Sequence, residues 1–210
     1  MSNRNTTARR PARRGSRAVH VLVFDGFADW EPSYALAELR RWGKRAVVAI
    51  GFDERPVTSM GGLRVMPDRK LSDVRAADVE LLILPGGDLW EGEYARAELE
   101  ALLAALVAAA VPVAAICGAT LAVARAGLLN NRKHTSNMPG YLHEHVAEYG
   151  GAALYEPALA VSDRGIITAS GLGPVDFARA IFKELGIFNA SDEQLWYDMF
   201  KHGRLPESAV

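Results

Sequence analysis

Short apolar runs alternate with amphipathic stretches along this chain. "VHVLVF" (19–24), "AVVAIG" (46–51), "ELLILPGG" (80–87) and "VPVAAIC" (111–117) are continuously apolar over strand-like lengths and stop abruptly, so they predict buried strands. Between and after them, "DWEPSYALAELRRWG" (29–43), "YARAELEALLAALVAAA" (94–110) and "GATLAVARAGLL" (118–129) predict helices. Asp29 is placed to cap the first of these, Pro32 sits in its first turn and Gly43 closes it. "PVTSMGGLRVMPD" (56–68) predicts a hairpin about Gly61-Gly62. The second half predicts a short strand over "RKHTSN" (132–137) and a helix over 139–150. A strand pair turning at Asp163-Arg164-Gly165 follows, then helices over 173–186 and 191–203. Ser191 with Gln194 spells a capping box for the last helix. Strands that are apolar on both faces and alternate with helices predict an α/β fold, a mainly parallel sheet sandwiched by helices.

Composition narrows the class. Half of the 210 residues are apolar, enough for one sizeable core over about 19–203, with a short tail at 204–210. No apolar run is long enough and free enough of charge to span a bilayer. One cysteine excludes an internal disulfide and a cysteine-rich zinc site, and suits a reducing cytoplasm. The net charge of −1 hides an asymmetry: residues 1–18 carry six arginines and no acid. Removing those six from the 24 basic residues leaves 18 against 25 acids, a formal −7, so no nucleic-acid partner is expected for the core. The leader lacks the apolar segment of a signal peptide and reads as a disordered basic extension; weak contact with nucleic acid or acidic surfaces is its other reading.

The one thiol, Cys117, stands where an apolar strand ends and a helical pattern starts, followed by Gly118 and Ala119, which leave room for a sharp turn. In an open parallel sheet, ligands bind beyond the carboxyl ends of the strands, and a nucleophile on such a turn forms an elbow. A helix start is expected to lower the thiol pKa, and the Gly118 N–H points where an oxyanion would form. "LPGG" ends another strand, which makes the Gly87 N–H the natural second donor. Glu31 lies just past the first strand, where burial should raise its pKa and leave it able to donate a proton to the thiolate. Alone, it reads equally as a first-turn acid favoured by the helix dipole.

The segments "DGFADWE", "LPGGDLW", "AAICGATLAVARAGLL", "RKHTSN" and "IITASGLGP" together make the chain resemble the ThiJ/PfpI superfamily from about Val19 to Gly186. That superfamily includes the Parkinson-disease-associated deglycase and is related to class I glutamine amidotransferase domains. The resemblance implies a flavodoxin-like three-layer αβα sandwich, usually a homodimer. It also implies Cys117 as nucleophile, Glu31 as its acidic partner, and Gly87 and Gly118 as carriers of the oxyanion-hole amides. Members that use histidine have it directly after the cysteine, where Gly118 stands, or in the strand after the elbow helix. There "RKHTSN" aligns Asn137 with the histidine position, and strand alternation sends His134 to the opposite face. Either is a polar support for a Cys–Glu dyad, or an ordinary polar strand residue.

Other residues have blander readings. His143 and His145 are two apart on a helix, point in different directions and read as a solvated face. Trp90 lines the pocket, or belongs to the core or a dimer contact. Gly171, Gly173 and Pro174 offer further amides at a strand end, or form only a tight turn. No P-loop, GxGxxG or HExxH motif is present, so no cofactor or metal is expected.

Three functions follow. The first is a cysteine-dependent enzyme acting on an electrophilic carbon of a small-molecule substrate, by amidase or other hydrolase-like, C–N or carbonyl chemistry. The second is a redox sensor or stress-protective protein whose Cys117 is oxidised to a sulfinate without turnover. The third is a cysteine that serves only as a small buried hydrophobe.

Overall fold

The computed structural model describes residues 17–206; the leader up to residue 16 and the last four residues lie outside the described residues. The central sheet joins β1 (Ala18–Leu22), β2 (Val47–Gly51), β5 (Arg69–Lys70), β6 (Val79–Leu84), β7 (Val113–Ile116), β8 (Ala160–Asp163) and β9 (Ile166–Ala169) in the order β5-β2-β1-β6-β7-β9-β8. All neighbours are parallel except β8 and β9, which form the hairpin turning at Asp163-Arg164-Gly165. A separate antiparallel hairpin, β3 (Val57–Thr58) and β4 (Arg64–Val65), turns at Gly61-Gly62. There Gly62 adopts φ +87°, which costs a glycine little.

Helices cover both faces, which makes the flavodoxin-like sandwich. On one side α1 (Trp30–Arg41) packs against α5 (Pro174–Leu185), and α5 against α6 (Ala190–His202). On the other lie α2 (Arg96–Ala108), α3 (Thr120–Arg125) and α4 (Tyr141–His145). Two helices bury the apolar stripe that their spacing dictates: Leu99, Leu102, Leu103 and Leu106 in α2, and Phe177, Ala178, Ile181 and Phe182 in α5. β1, β7 and β9 are buried along their whole length, as strands covered on both faces must be. Among the described residues, no helix is long and apolar enough to cross a membrane.

Four local expectations change. "RKHTSN" forms no strand; it contributes one parallel bridge, His134 to Tyr155. The helix expected over 139–150 shrinks to Tyr141–His145, because Val146 turns to an extended conformation and buries its side chain. Asp29 does not cap α1: it is itself in the helical region, and its carboxylate accepts from the Ser59 hydroxyl at 2.5 Å, tying the β3–β4 hairpin to the start of α1. Asn189, not Ser191, caps α6; its Oδ1 accepts from the Asp192 N–H at 2.9 Å and from the Ser191 hydroxyl at 2.7 Å. Gln194 instead accepts from Arg179.

Asn189→Ala is expected to cost about 1 kcal/mol, the usual worth of an N-cap, and to lower Tm by roughly 2–4 °C. Ser191→Ala should cost less than half of that. Thermal melts of the two variants test which residue is the cap.

Candidate active site

The order of strands builds the site. β1, β6, β7 and β9 are adjacent and parallel, so the segments that leave their carboxyl ends converge. They deliver Glu31, Gly86, Cys117 and Gly171 respectively. Strands lie about 4.8 Å apart, so a group leaving β1 must reach over β6 to touch one on β7. Glu31 has the length to do so. Gly86, with no side chain, stays beneath it and donates its N–H to Glu31 Oε2 at 2.5 Å.

Cys117 takes φ +59°, one of four described non-glycine residues with positive φ. Such a conformation costs on the order of 1–3 kcal/mol and persists only where its surroundings enforce it. The enforcement is visible. Thr120 Oγ1 donates to the Cys117 carbonyl at 2.7 Å and is itself 2.6 Å from the Ser136 hydroxyl, both inside the protein. The bend begins as a single 3-10 turn, Cys117–Ala119, before α3.

Two glycines close in on the sulfur. A Cβ at Gly86 would stand 3.0 Å from Cys117 Sγ and 2.7 Å from Glu31 Oε2; one at Gly171 would stand 3.0 Å from Sγ and 3.2 Å from Glu31 Oε1. Any side chain at either position would displace the thiol or the carboxyl. Asn137 completes the ring. Its Nδ2 lies 3.4 Å from Sγ, and its Oδ1 accepts from the Gly171 N–H at 3.1 Å, which sets the amide with its donor towards sulfur.

Glu31 is buried, with 1% of its surface exposed, and hydrogen-bonds to the thiol. Burial raises its carboxyl to about 7, against the opposing pull of the Gly86 N–H. The half-buried thiol is also raised, to about 11, by burial first and by the neighbouring carboxylate second. The Asn137 amide and Gly118 N–H pull the other way and do not prevail. The expectation of a lowered thiol pKa is therefore corrected. The helix that begins here, α3, is only six residues long, and a charged carboxyl is in contact with the sulfur.

His134 is fully buried away from the thiol, its ring nitrogens engaged by the Arg132 carbonyl at 2.7 Å and Tyr149 Oη at 2.5 Å. Trp90 is fully buried, donates to the Pro85 carbonyl at 2.8 Å and packs edge-on to Phe24 and Tyr94, which makes it a core residue beneath the elbow. Gly87 sits at φ +148°, where a Cβ would meet Phe24 at 2.8 Å. His143 and His145 are exposed. Among the described residues, no group of three or more His, Cys, Asp or Glu side chains is arranged to hold a metal ion. Three contributors escape sequence reasoning: Gly86, Thr120 and Ser136. For Gly86 the signal lies in the sequence, since "PGG" holds two glycines and the carboxyl meets the first of them. Thr120 and Ser136 are ordinary residues whose meeting depends on the fold.

The chain's sequence matches the DJ-1/PfpI family over residues 17–184. It is 37% identical over 193 residues to the uncharacterized protease YoaZ of Bacillus subtilis, spanning 89% of this chain and 91% of the other. It is 31% identical over 120 residues to a deglycase of Thermococcus kodakarensis, spanning 57% of this chain and 72% of the other. A crystal structure of a DJ-1 superfamily protein from Agrobacterium tumefaciens superimposes with a TM-score of 0.82 at 36% identity, covering 90% of this chain and all of that one. With the matched segment enclosing Glu31, Gly86, Cys117, Asn137 and Gly171, this chain belongs to the DJ-1/PfpI family.

Proposed function

We propose that this protein is a cysteine-dependent enzyme acting on an electrophilic carbon of a small molecule, in hydrolase-like or carbonyl chemistry. The observation that carries the reading is the contact between a strained, half-buried thiol and a buried carboxyl whose pKa is raised to about 7. The names of the relatives, protease and deglycase, agree with C–N or carbonyl chemistry.

The pair shares a proton. When Glu31 is charged, it accepts the Cys117 S–H; moving that proton to the carboxylate yields a thiolate beside a neutral acid, and the sulfur lone pair attacks the carbonyl carbon. The carbonyl π electrons pass to oxygen, and the Gly118 and Gly87 N–H groups are the donors we assign to that oxyanion. Glu31 then returns the proton to the oxyanion, or to a leaving nitrogen as its bond to carbon breaks. A water deprotonated by the same carboxylate releases an acyl group from sulfur. A pKa near neutrality suits a group that must both take and give a proton. Asn137 stands where a histidine would be a second proton carrier, and it can only donate a hydrogen bond.

The sensor reading rests on the same thiol. Oxidants react with thiolate, and the resting sulfur here is held protonated by burial and by Glu31. Deprotonation on demand by Glu31 therefore favours turnover over resting oxidation.

Cys117→Ala is expected to abolish turnover across a panel of small amides and aldehydes; a panel that wild type leaves untouched, with Cys117 gaining oxygen mass under dilute peroxide, would instead favour the sensor. Alkylation of Cys117 by iodoacetamide should accelerate with pH through about 7, as Glu31 becomes able to accept the thiol proton. In Glu31→Gln that step should vanish, leaving a rate that rises with pH through the thiol's own ionisation alone.

Stability should move in the opposite sense. A carboxyl raised from 4.5 to about 7 destabilises the fold when ionised, so its contribution worsens as pH climbs from the unfolded value through the folded one. Glu31→Gln should therefore raise Tm at pH 8, by up to roughly 3 kcal/mol of stability, and leave it near wild type at pH 4.5. Melts at the two pH values check this.

A further inference from the structure

Two loops that touch the sulfur carry large apolar side chains out into solvent. Asn137 is followed by Met138, 59% exposed, and Gly171 by Leu172, 82% exposed. Both stand at tight turns: the Tyr141 N–H returns to the Met138 carbonyl at 3.3 Å, and the Gly173 N–H to the Ser170 carbonyl at 2.8 Å. The hydrogen bond from Gly171 N–H to Asn137 Oδ1 ties the two turns together at the thiol. Neither exposed side chain belongs to the core of this chain, yet each is one residue from a group in contact with Sγ.

Charge adds an independent observation. The five segments that leave the strand ends or border the thiol, 23–29, 85–95, 117–119, 135–140 and 170–173, contain no lysine or arginine. They contain five acids, Asp25, Asp29, Asp88, Glu91 and Glu93. A site for phosphorylated or carboxylate substrates places a guanidinium, an ammonium or a helix of some length at the anion. These segments supply none of their own, and the Arg125 guanidinium that reaches them is engaged by the Trp90 carbonyl at 2.5 Å and the Tyr94 ring, so an anion finds little to bind.

We infer that the site selects uncharged electrophiles bearing an apolar substituent, and that Leu172 and Met138 are the specificity-determining residues that cover that substituent. The inference rests on the reading of Cys117 as the reacting group. The thiol attacks the electrophilic carbon at the floor, while the substituent lies along the two exposed side chains and removes their surface from water. A small or anionic electrophile reaches the same sulfur without that gain.

The test is a set of alkylation rates, which need no turnover. Second-order rate constants at Cys117 are measured for N-benzylmaleimide against N-ethylmaleimide, and for iodoacetate against iodoacetamide. Each ratio is divided by the same ratio for glutathione. The benzyl preference is expected to be roughly tenfold in wild type, the size of effect that burying one small ring produces, and to fall to about the glutathione value in Leu172→Ser/Met138→Ser. Iodoacetate should be disfavoured in wild type and variant alike. Ratios equal to those of glutathione in wild type would overturn the proposal. So would a variant that keeps the benzyl preference, or one whose only change is a lower mass in solution, which would mean that a second copy covers these side chains. Selective alkylation without turnover on any substrate rejects the enzyme reading alone; turnover with flat alkylation ratios rejects this inference alone.

Discussion

The hydrogen bond between Glu31 and Cys117 constrains everything around it. For a carboxyl leaving β1 to meet a thiol leaving β7, the intervening strand must pass beneath with no side chain, and Gly86 does so while its N–H holds the carboxyl from below. For the thiol to face that carboxyl, Cys117 must adopt φ +59°, and the Thr120–Ser136 pair anchors its carbonyl there. For the sulfur to stay at the surface of the sheet, Gly171 must also lack a Cβ. The geometry is over-determined, as it must be if a strained residue is to persist in the folded state.

The arrangement works against stability. A carboxyl with 1% exposure and no cationic partner among the described residues is unfavourable when charged, and a bend with positive φ adds to the cost. The sandwich offsets both through strands buried on two faces and the apolar stripes of α2 and α5. Such a trade is common where catalysis needs a group at a pKa that water would not give it.

What the sequence revealed, and what it hid, divides along the same physical line. The strands, the Gly61-Gly62 and Asp163-Arg164-Gly165 turns and the elbow were legible because local apolar runs and glycines specify them. The meeting of Glu31 with Cys117 was legible only by combining three strand ends with a family resemblance. The direction of the thiol's shift was not legible. It depends on burial and on a carboxylate 86 positions earlier, whereas local reasoning saw only the helix start. The α6 cap was missed for a smaller reason: Asn189 precedes the box-like Ser191 and Gln194 by two residues, and the fold gives Gln194 to Arg179.

Asparagine at position 137 has a consequence for the chemistry. A thiol paired with histidine has an imidazolium to stabilise the thiolate permanently, and a second acid for the leaving group. Here the neutral Asn137 amide donates to sulfur without a proton to give, and its orientation is locked by Gly171. In the proposed mechanism, one carboxyl must then serve as base in the attack and as acid in the collapse. That sequence suits substrates in which the atom that gains charge is also the atom that receives the proton, as in addition to a carbonyl. It serves less well a peptide bond, whose nitrogen must be protonated at a second place before it departs. Under the proposed chemistry, the relative named a deglycase is therefore a better guide to this site than the one named a protease, and the side chain at position 137 makes the difference.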